Sequence, residues 1–284
     1  MIGARTALTL GRVSNLPTVW SNVLAASLLA GGAEISIVVT LALAMSLFYV
    51  GGMYLNDAFD SRFDTEHQTW RPIPSGRASL TAVSAIGGAL LIGGIAILAS
   101  FGMAAGIAGA ALAATILFYD WYHKGNPLSP VVMGTCRALV YIGTAAALGA
   151  ALPPMLWPAI ALAAYVAGLT YAAKQERLMQ ASTLIPLLLL SAPLVFVLVT
   201  APGTVGSGVG AAAAIALIGA AGFGLWLLYR RRPGDVPQAI GLLIAGIALV
   251  DGLMAATTGA GIAVLVCWGL FGLTLLFQRF IPGT

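Results

Sequence analysis

Long apolar runs separated by short polar breaks set the pattern of this chain. They extend over about Leu16 to Ala30, Ile35 to Leu55, Ala78 to Ala99, Met103 to Tyr119, Ser129 to Ala151, Trp157 to Ala173, Thr183 to Thr200, Gly208 to Tyr229, Pro237 to Ala255 and Gly259 to Phe277. A helix needs about 20 apolar residues to cross a bilayer core, so the pattern predicts an all-α, polytopic transmembrane bundle of nine to ten helices. Little chain is left for loops, and residues 1–284 read as a single integral-membrane domain. Composition narrows this further: 60% of residues are hydrophobic and 8% charged, where a soluble domain carries about 25% charged residues. With a mean hydropathy of +0.99, a soluble enzyme, a disordered chain and a secreted disulfide scaffold are excluded. Cys136 and Cys267 lie in apolar runs and form no metal or disulfide pattern. No apolar core followed by a cleavage site precedes Leu16, so the first run is expected to be a permanent helix rather than a signal peptide.

The basic residues orient the bundle. Arg5 and Arg12 precede the first run, Arg62, Arg71 and Arg77 follow the second, and Lys124 follows the fourth. Lys174 and Arg177 follow the sixth, Arg230, Arg231 and Arg232 the eighth, and Arg279 the last. All these loops fall on one side of a ten-span chain, and the opposite loops carry no Lys or Arg. The positive-inside rule makes the charged side cytoplasmic, with both termini there. The net charge of +4 is then topological and points to no nucleic-acid partner.

The cytoplasmic end of the second run carries the candidate chemistry, YLNDAFDSRFDTEHQTWRPIPSGR from Tyr54 to Arg77. At about 100° per residue, Asn56, Asp57, Asp60 and Asp64 share one arc of a continuing helix. Three carboxylates and an amide on one face repel unless a cation joins them, and hard oxygen donors suit Mg²⁺, which takes its remaining ligands from water and substrate phosphates. The alternative is a solvated acidic helix end. Arg71 and Arg77 flank a stiff Pro-Pro-Gly turn, placed either to meet an anion or simply to anchor the helix at the membrane surface.

The run N-D-x-x-D-x-x-x-D followed by R-P-I-P-S-G-R resembles the first aspartate-rich motif of the UbiA superfamily of intramembrane prenyltransferases, and the alternation of helix pairs with polar loops extends the likeness to about residue 180. The resemblance implies a UbiA-like bundle around a central cavity open to the cytoplasmic side. It also implies that Asn56, Asp57, Asp60 and Asp64 bind Mg²⁺, which bridges the diphosphate of an isoprenyl donor. The loop FYDWYHKGNPLSP resembles the family's Tyr…Lys loop, which makes Lys124 a diphosphate contact; Asp120 is a secondary candidate as a metal or hydrogen-bond partner. The family's first helix lends a polar residue to the acceptor pocket, for which Asn15 and Asn22 are the candidates here; either can equally be glue between helices.

Arg137 falls inside the fifth run, where a charge is costly and faces a cavity or a partner. It reads as an anion-binding wall of the cavity or as one half of a structural pair. Asp251, alone in the ninth run, has no partner that the sequence identifies. A weak internal repeat relates YVGGM at Tyr49 to YVAGL at Tyr165. It carries Asp60 onto Glu176, but Asn56, Asp57 and Asp64 onto Ala172, Ala173 and Gln180, so one carboxylate of a second motif survives beside Lys174 and Arg177. This departs from the family's second aspartate-rich motif and resembles the EboC-like branch. Lys174 and Arg177 are then candidates for diphosphate charge.

Together these readings give a Mg²⁺-dependent transfer of an isoprenyl group from its diphosphate to a small-molecule acceptor, an aromatic or other hydroxylated ring, in the membrane with release of pyrophosphate, and with Asp60, Lys124 and Arg137 in the chemistry. A UbiA-type terpene cyclase would need the acidic motif but no acceptor. A transporter would need paired broken helices near the bilayer midplane, and the sequence suggests none.

Overall fold

The computed structural model describes residues 2–177 and 184–283, with the side chains of 175–177 outside that description. A short surface helix, α1 (Ala4–Leu10), and a single 3-10 turn (Val13–Asn15) lead into α2 (Leu16–Leu29). There follow α3 (Ile35–His67), α4 (Leu80–Ser100), α5 (Met103–Tyr122), α6 (Ser129–Ala147) and α7 (Leu152–Arg177). The second half comprises α8 (Leu184–Thr200), the one-turn α9 (Pro202–Gly206), α10 (Gly208–Arg230), α11 (Asp235–Ala245), α12 (Ile247–Ala256) and α13 (Gly261–Gln278). Each expected apolar run is helical over most of its described length, the ninth as two helices. Eight segments are long and apolar enough to span a membrane, counting α11 with α12 as one, and α8 is a shorter apolar helix of 17 residues. The protein is an integral, multi-pass membrane protein built only of helices among the described residues.

Two helices depart from a simple span in ways that shape the interior. With 33 residues, α3 is about 50 Å long at 1.5 Å per residue, some 20 Å more than the hydrocarbon thickness. Its apolar part ends near Leu55, so its last three turns project beyond the apolar layer and carry the acidic residues as one rigid rod. By contrast α2 has 14 residues, about 21 Å, and lies wrapped by α3, α6, α12 and α13. Its Thr18, Ser21 and Asn22 are fully buried, which a lipid-facing helix could not sustain.

Close backbone approach sets the helix pairs. Gly51 of α3 faces Gly87 of α4, and a Cβ on either would come within 2.9 or 3.1 Å of the other's carbonyl oxygen. Small residues permit such contact where lipid offers no hydrophobic drive for association. Gly134 of α6 is pressed against the Ala163 carbonyl of α7 in the same way.

The ninth run, read as one continuous span, is broken at Gly246 between α11 and α12. Tyr165 of α7 enters the break: its hydroxyl donates to the Leu243 carbonyl at 3.0 Å and occupies the space a Cβ at Gly246 would need. A carbonyl freed by a kink must find a partner, and here the protein itself supplies it. The broken helix that a transporter would use to hold a coupling ion is therefore present once among the described residues, but filled by a tyrosine.

Candidate active site

The projecting end of α3 gathers charge from three other segments. Asp57 Oδ1 accepts from Arg71 Nη1 at 2.9 Å and lies 3.4 Å from Arg12 Nη2, which also donates to Asn56 Oδ1 at 3.2 Å. Arg71 Nε lies 4.0 Å from Asp64 Oδ2, so one guanidinium spans two carboxylates about two helical turns apart. On the neighbouring edge, Lys124 Nζ is 2.7 Å from Asp60 Oδ1 and 3.8 Å above the Phe63 ring. His123, stacked on Tyr119, brings Nε2 to 3.6 Å from Asp60 Oδ2. Asn56 Nδ2 donates to Asp120 Oδ1 at 3.0 Å, which ties α3 to the end of α5.

Local structure explains the convergence. Arg12 occupies a left-handed turn (φ 41°) between α1 and the 3-10 turn, and this aims its side chain across at α3. The chain after α3 folds back through a tight turn whose Ser75 and Gly76 amides donate to the Arg71 and Ile73 carbonyls, returning Arg71 to the helix it has just left. Arg77, in the same turn, is exposed; it bonds Ser75 Oγ at 2.9 Å and the Trp70 carbonyl, and does not reach the acidic face.

Behind the acidic face lies a cavity of about 90 Å³ between α2, α3, α5 and α6. Its walls include Phe48, Tyr49, Ile116, Val140 and Arg137; Asp120, bonded to Asn56 of the acidic face, lines it as well. Asp120 is 4% exposed, and its Oδ2 has no hydrogen-bond partner among the described residues. A buried carboxylate oxygen left open is costly, and this one belongs to a residue that both lines the cavity and touches the acid cluster.

Other candidates lie elsewhere. Lys174 is pinned to the α5–α6 loop, donating to the Asn126 carbonyl at 2.5 Å and Ser129 Oγ at 3.1 Å. The side chains of Glu176 and Arg177 are outside the described residues. Asn15 joins the two ends of the chain, donating to the Gly283 carbonyl at 2.9 Å and accepting from Gln278 Nε2 at 3.0 Å. Asn22 lies in a polar network with Arg137 and Asp251.

The donor set matches a divalent cation in kind. Among the described residues no three His, Cys, Asp or Glu side chains converge as a ready-made cage, but Mg²⁺ is usually bound by one or two carboxylates together with water and substrate phosphates. Three carboxylates (Asp57, Asp60 and Asp64) face three cations (Arg12, Arg71 and Lys124). No positive charge is left over for a diphosphate, which a divalent ion would supply. The open Asp120 oxygen and the all-oxygen chemistry of the α3 face both suit such an ion.

A family model for the UbiA prenyltransferase family matches residues 15–247. The chain belongs to the UbiA prenyltransferase family. The UbiA homologue from Aeropyrum pernix K1 in its apo form has the same fold, with a TM-score of 0.66 at 20% identity over 89% of this chain and 97% of that one. A UbiA homologue from Archaeoglobus fulgidus, solved bound to DMAPP and Mg²⁺, gives a TM-score of 0.62 at 14% identity, covering 92% of this chain and all 100% of that one. In sequence, a stretch of 56 residues is 41% identical to digeranylgeranylglyceryl phosphate synthase of Saccharolobus solfataricus, 20% of the length of each protein. Arg12 is the residue that sequence reasoning passed over. Its position before the first run marks it only as a topological charge, and the left-handed turn that aims it is invisible in a hydropathy pattern.

Proposed function

We propose that this UbiA-family protein transfers an isoprenyl group from an isoprenyl diphosphate to a small-molecule acceptor, with Mg²⁺, the whole chain acting as one unit and the acidic face lying on the cytoplasmic side. The observation that carries this reading is the acidic face of α3, matched by Arg12, Arg71 and Lys124 at the mouth of an apolar cavity. The relatives solved with DMAPP or GPP and Mg²⁺ support the choice of donor and ion. The lost second-motif carboxylates favour the EboC-like branch and an acceptor other than a quinone-precursor ring.

Asn56, Asp57, Asp60 and Asp64 would hold the ion, which when bound supplies Lewis-acid charge to the diphosphate oxygens. Arg12, Arg71 and Lys124 then exchange their carboxylate partners for phosphate oxygens. There they stabilise the negative charge that grows as the allylic C–O bond breaks and its electron pair leaves with pyrophosphate. The isoprenyl tail lies in the cavity, whose lining includes Phe48, Ile116 and Val140. The acceptor's nucleophilic atom closes the new bond with its own electron pair and releases a proton.

The test is pyrophosphate release by purified protein with Mg²⁺ and isoprenyl diphosphates of increasing length, each with and without candidate acceptors. Release that requires an acceptor is expected. Release without one would replace this reading with a cyclase or a diphosphatase, and no release with any donor would refute it.

A further inference from the structure

Arg12 reaches the acidic face from a backbone conformation that arginine resists. Its φ of 41° lies in the left-handed region, which a residue with a Cβ keeps only where its surroundings over-determine it. The turn is held on both sides. Arg12 N donates to the Thr9 carbonyl at 3.1 Å, and the Arg12 carbonyl accepts from the backbone amide of Asn15 at 3.1 Å and from Tyr49 Oη at 3.4 Å. Asn15, which closes the turn, is 3% exposed, and both ends of its side-chain amide are taken by residues 263 and 268 positions away. Gln278 Nε2 donates to Asn15 Oδ1 at 3.0 Å, and Asn15 Nδ2 donates to the Gly283 carbonyl at 2.9 Å.

Gln278, the last residue of α13, is itself fixed. The same Nε2 lies 3.3 Å from the Gly241 carbonyl of α11, and a Cβ at Gly241 would come within 2.7 Å of Gln278 Oε1. Beyond Gln278 a tight turn, with the amides of Arg279, Phe280 and Ile281 on the carbonyls of Leu276 and Phe277, sends the chain back over Asn15. There Gly283 packs so closely that a Cβ on it would sit 2.7 Å from Asn15 Oδ1. Turned over, the Asn15 amide would set its NH₂ against that of Gln278 and its oxygen against the Gly283 carbonyl, so it has one orientation. These bonds converge on the residue whose backbone closes the turn of Arg12. Both Arg12 and Gln278 lie outside residues 15–247, the stretch that the family model matches, so the pattern that defines the family does not carry this coupling.

We propose that the segment from Gln278 to Gly283 is a positioning element for Arg12, acting through Asn15, with Gln278 as its principal residue. Without it the turn relaxes out of the left-handed region, and Arg12 Nη2 leaves Asn56 and Asp57, which it now meets at 3.2 and 3.4 Å. The proposal rests on the transferase reading only for the task of Arg12 at a diphosphate; the placing of Arg12 does not depend on it.

The test uses the full-length protein in nanodiscs and two readouts. The first needs no metal: phenylglyoxal modification of arginines, followed by peptide mass spectrometry. The Arg12 and Arg71 side chains are 19% and 22% exposed, so Arg71 serves as the internal reference. In Q278L, which cannot donate to Asn15, Arg12 is expected to react about threefold faster while Arg71 is unchanged. The second readout is the affinity for Mg²⁺-pyrophosphate by calorimetry. R12A should lower it about tenfold, as for loss of one charge-assisted contact, and Q278L about threefold. Q278L should add nothing in the R12A background, because the double-variant cycle removes any effect that passes through Arg12. Should Q278L fail to yield folded protein, a chain ending at Arg279 decides: it keeps every helix, takes the Gly283 carbonyl from Asn15, and should show the same rise at Arg12. Unchanged Arg12 reactivity, or an equal rise at Arg71, overturns the positioning role, as does a Q278L penalty undiminished in the R12A background. Wild-type protein that binds no Mg²⁺-pyrophosphate would refute the diphosphate reading and leave the arginine reactivities to decide the positioning by themselves.

Discussion

Adding Mg²⁺ to the metal-free protein should make one lysine more reactive and leave the other unchanged. The sequence holds only two lysines, Lys124 and Lys174, so amine acylation read by peptide mass spectrometry reports each by itself. Lys124 is 40% exposed, with Nζ 2.7 Å from an Asp60 that is 16% exposed. A pair of that exposure is worth about 0.4–1 kcal/mol, and its contact with the Phe63 ring does not depend on Asp60. Divalent binding at the acidic face takes Asp60 away from the pair. With the ion pair gone, the acylation rate at Lys124 then rises by about two- to fivefold, since 1.4 kcal/mol is tenfold. Among the described residues Lys174 donates only to a backbone carbonyl and a serine, so its rate should stay constant. NaCl at matched ionic strength is the control, because salt alone loosens an exposed ion pair. Isoprenyl diphosphate added with Mg²⁺ should then drive the Lys124 rate below its metal-free value as the amine engages phosphate. No change at Lys124, an equal rise at Lys174, or the same rise with NaCl would refute the exchange of partners on which the proposed mechanism depends.

Asp60→Ala is expected to lower pyrophosphate release by at least about a hundredfold with helix content unchanged, and retained turnover would remove Asp60 from the metal site. Arg71→Ala, which takes away contacts to Asp57 and Asp64, should reduce kcat/KM for the donor about tenfold more than Arg77→Ala, whose side chain among the described residues bonds only its own turn; equal losses would show that both reach the diphosphate. Gly134→Ala drives a methyl into the Ala163 carbonyl of α7, whereas Gly88→Ala meets nothing within 4 Å, so the first should cost about 1–3 kcal/mol of stability and the second almost none, measured as denaturation midpoints in detergent.

How far the sequence carries depends on the range of the interaction. The spans are legible because each is a local run of apolar residues. The acidic face is legible because 100° per residue stacks Asp57, Asp60 and Asp64, and Arg71 reaching both Asp57 and Asp64 is that same arc met from outside. Arg71 and Arg77 look alike in sequence, and only the geometry of the turn sends one to the acids and the other away. The break at Gly246 is likewise set from elsewhere, by Tyr165 on α7. The polar interior is the extreme case: Asp251's partners Ser21, Asn22 and Tyr141 come from residues 230, 229 and 110 positions away. No periodicity encodes that pairing, because it depends on α2, α6 and α12 packing side by side. A lone charge in an apolar run announces that a partner exists, since the membrane would not tolerate it otherwise, but it cannot say which. For Arg137 and Asp251 each is the other's counter-charge, and the residue that joins them, Asn22, carries no charge by which a scan for ion pairs could find it.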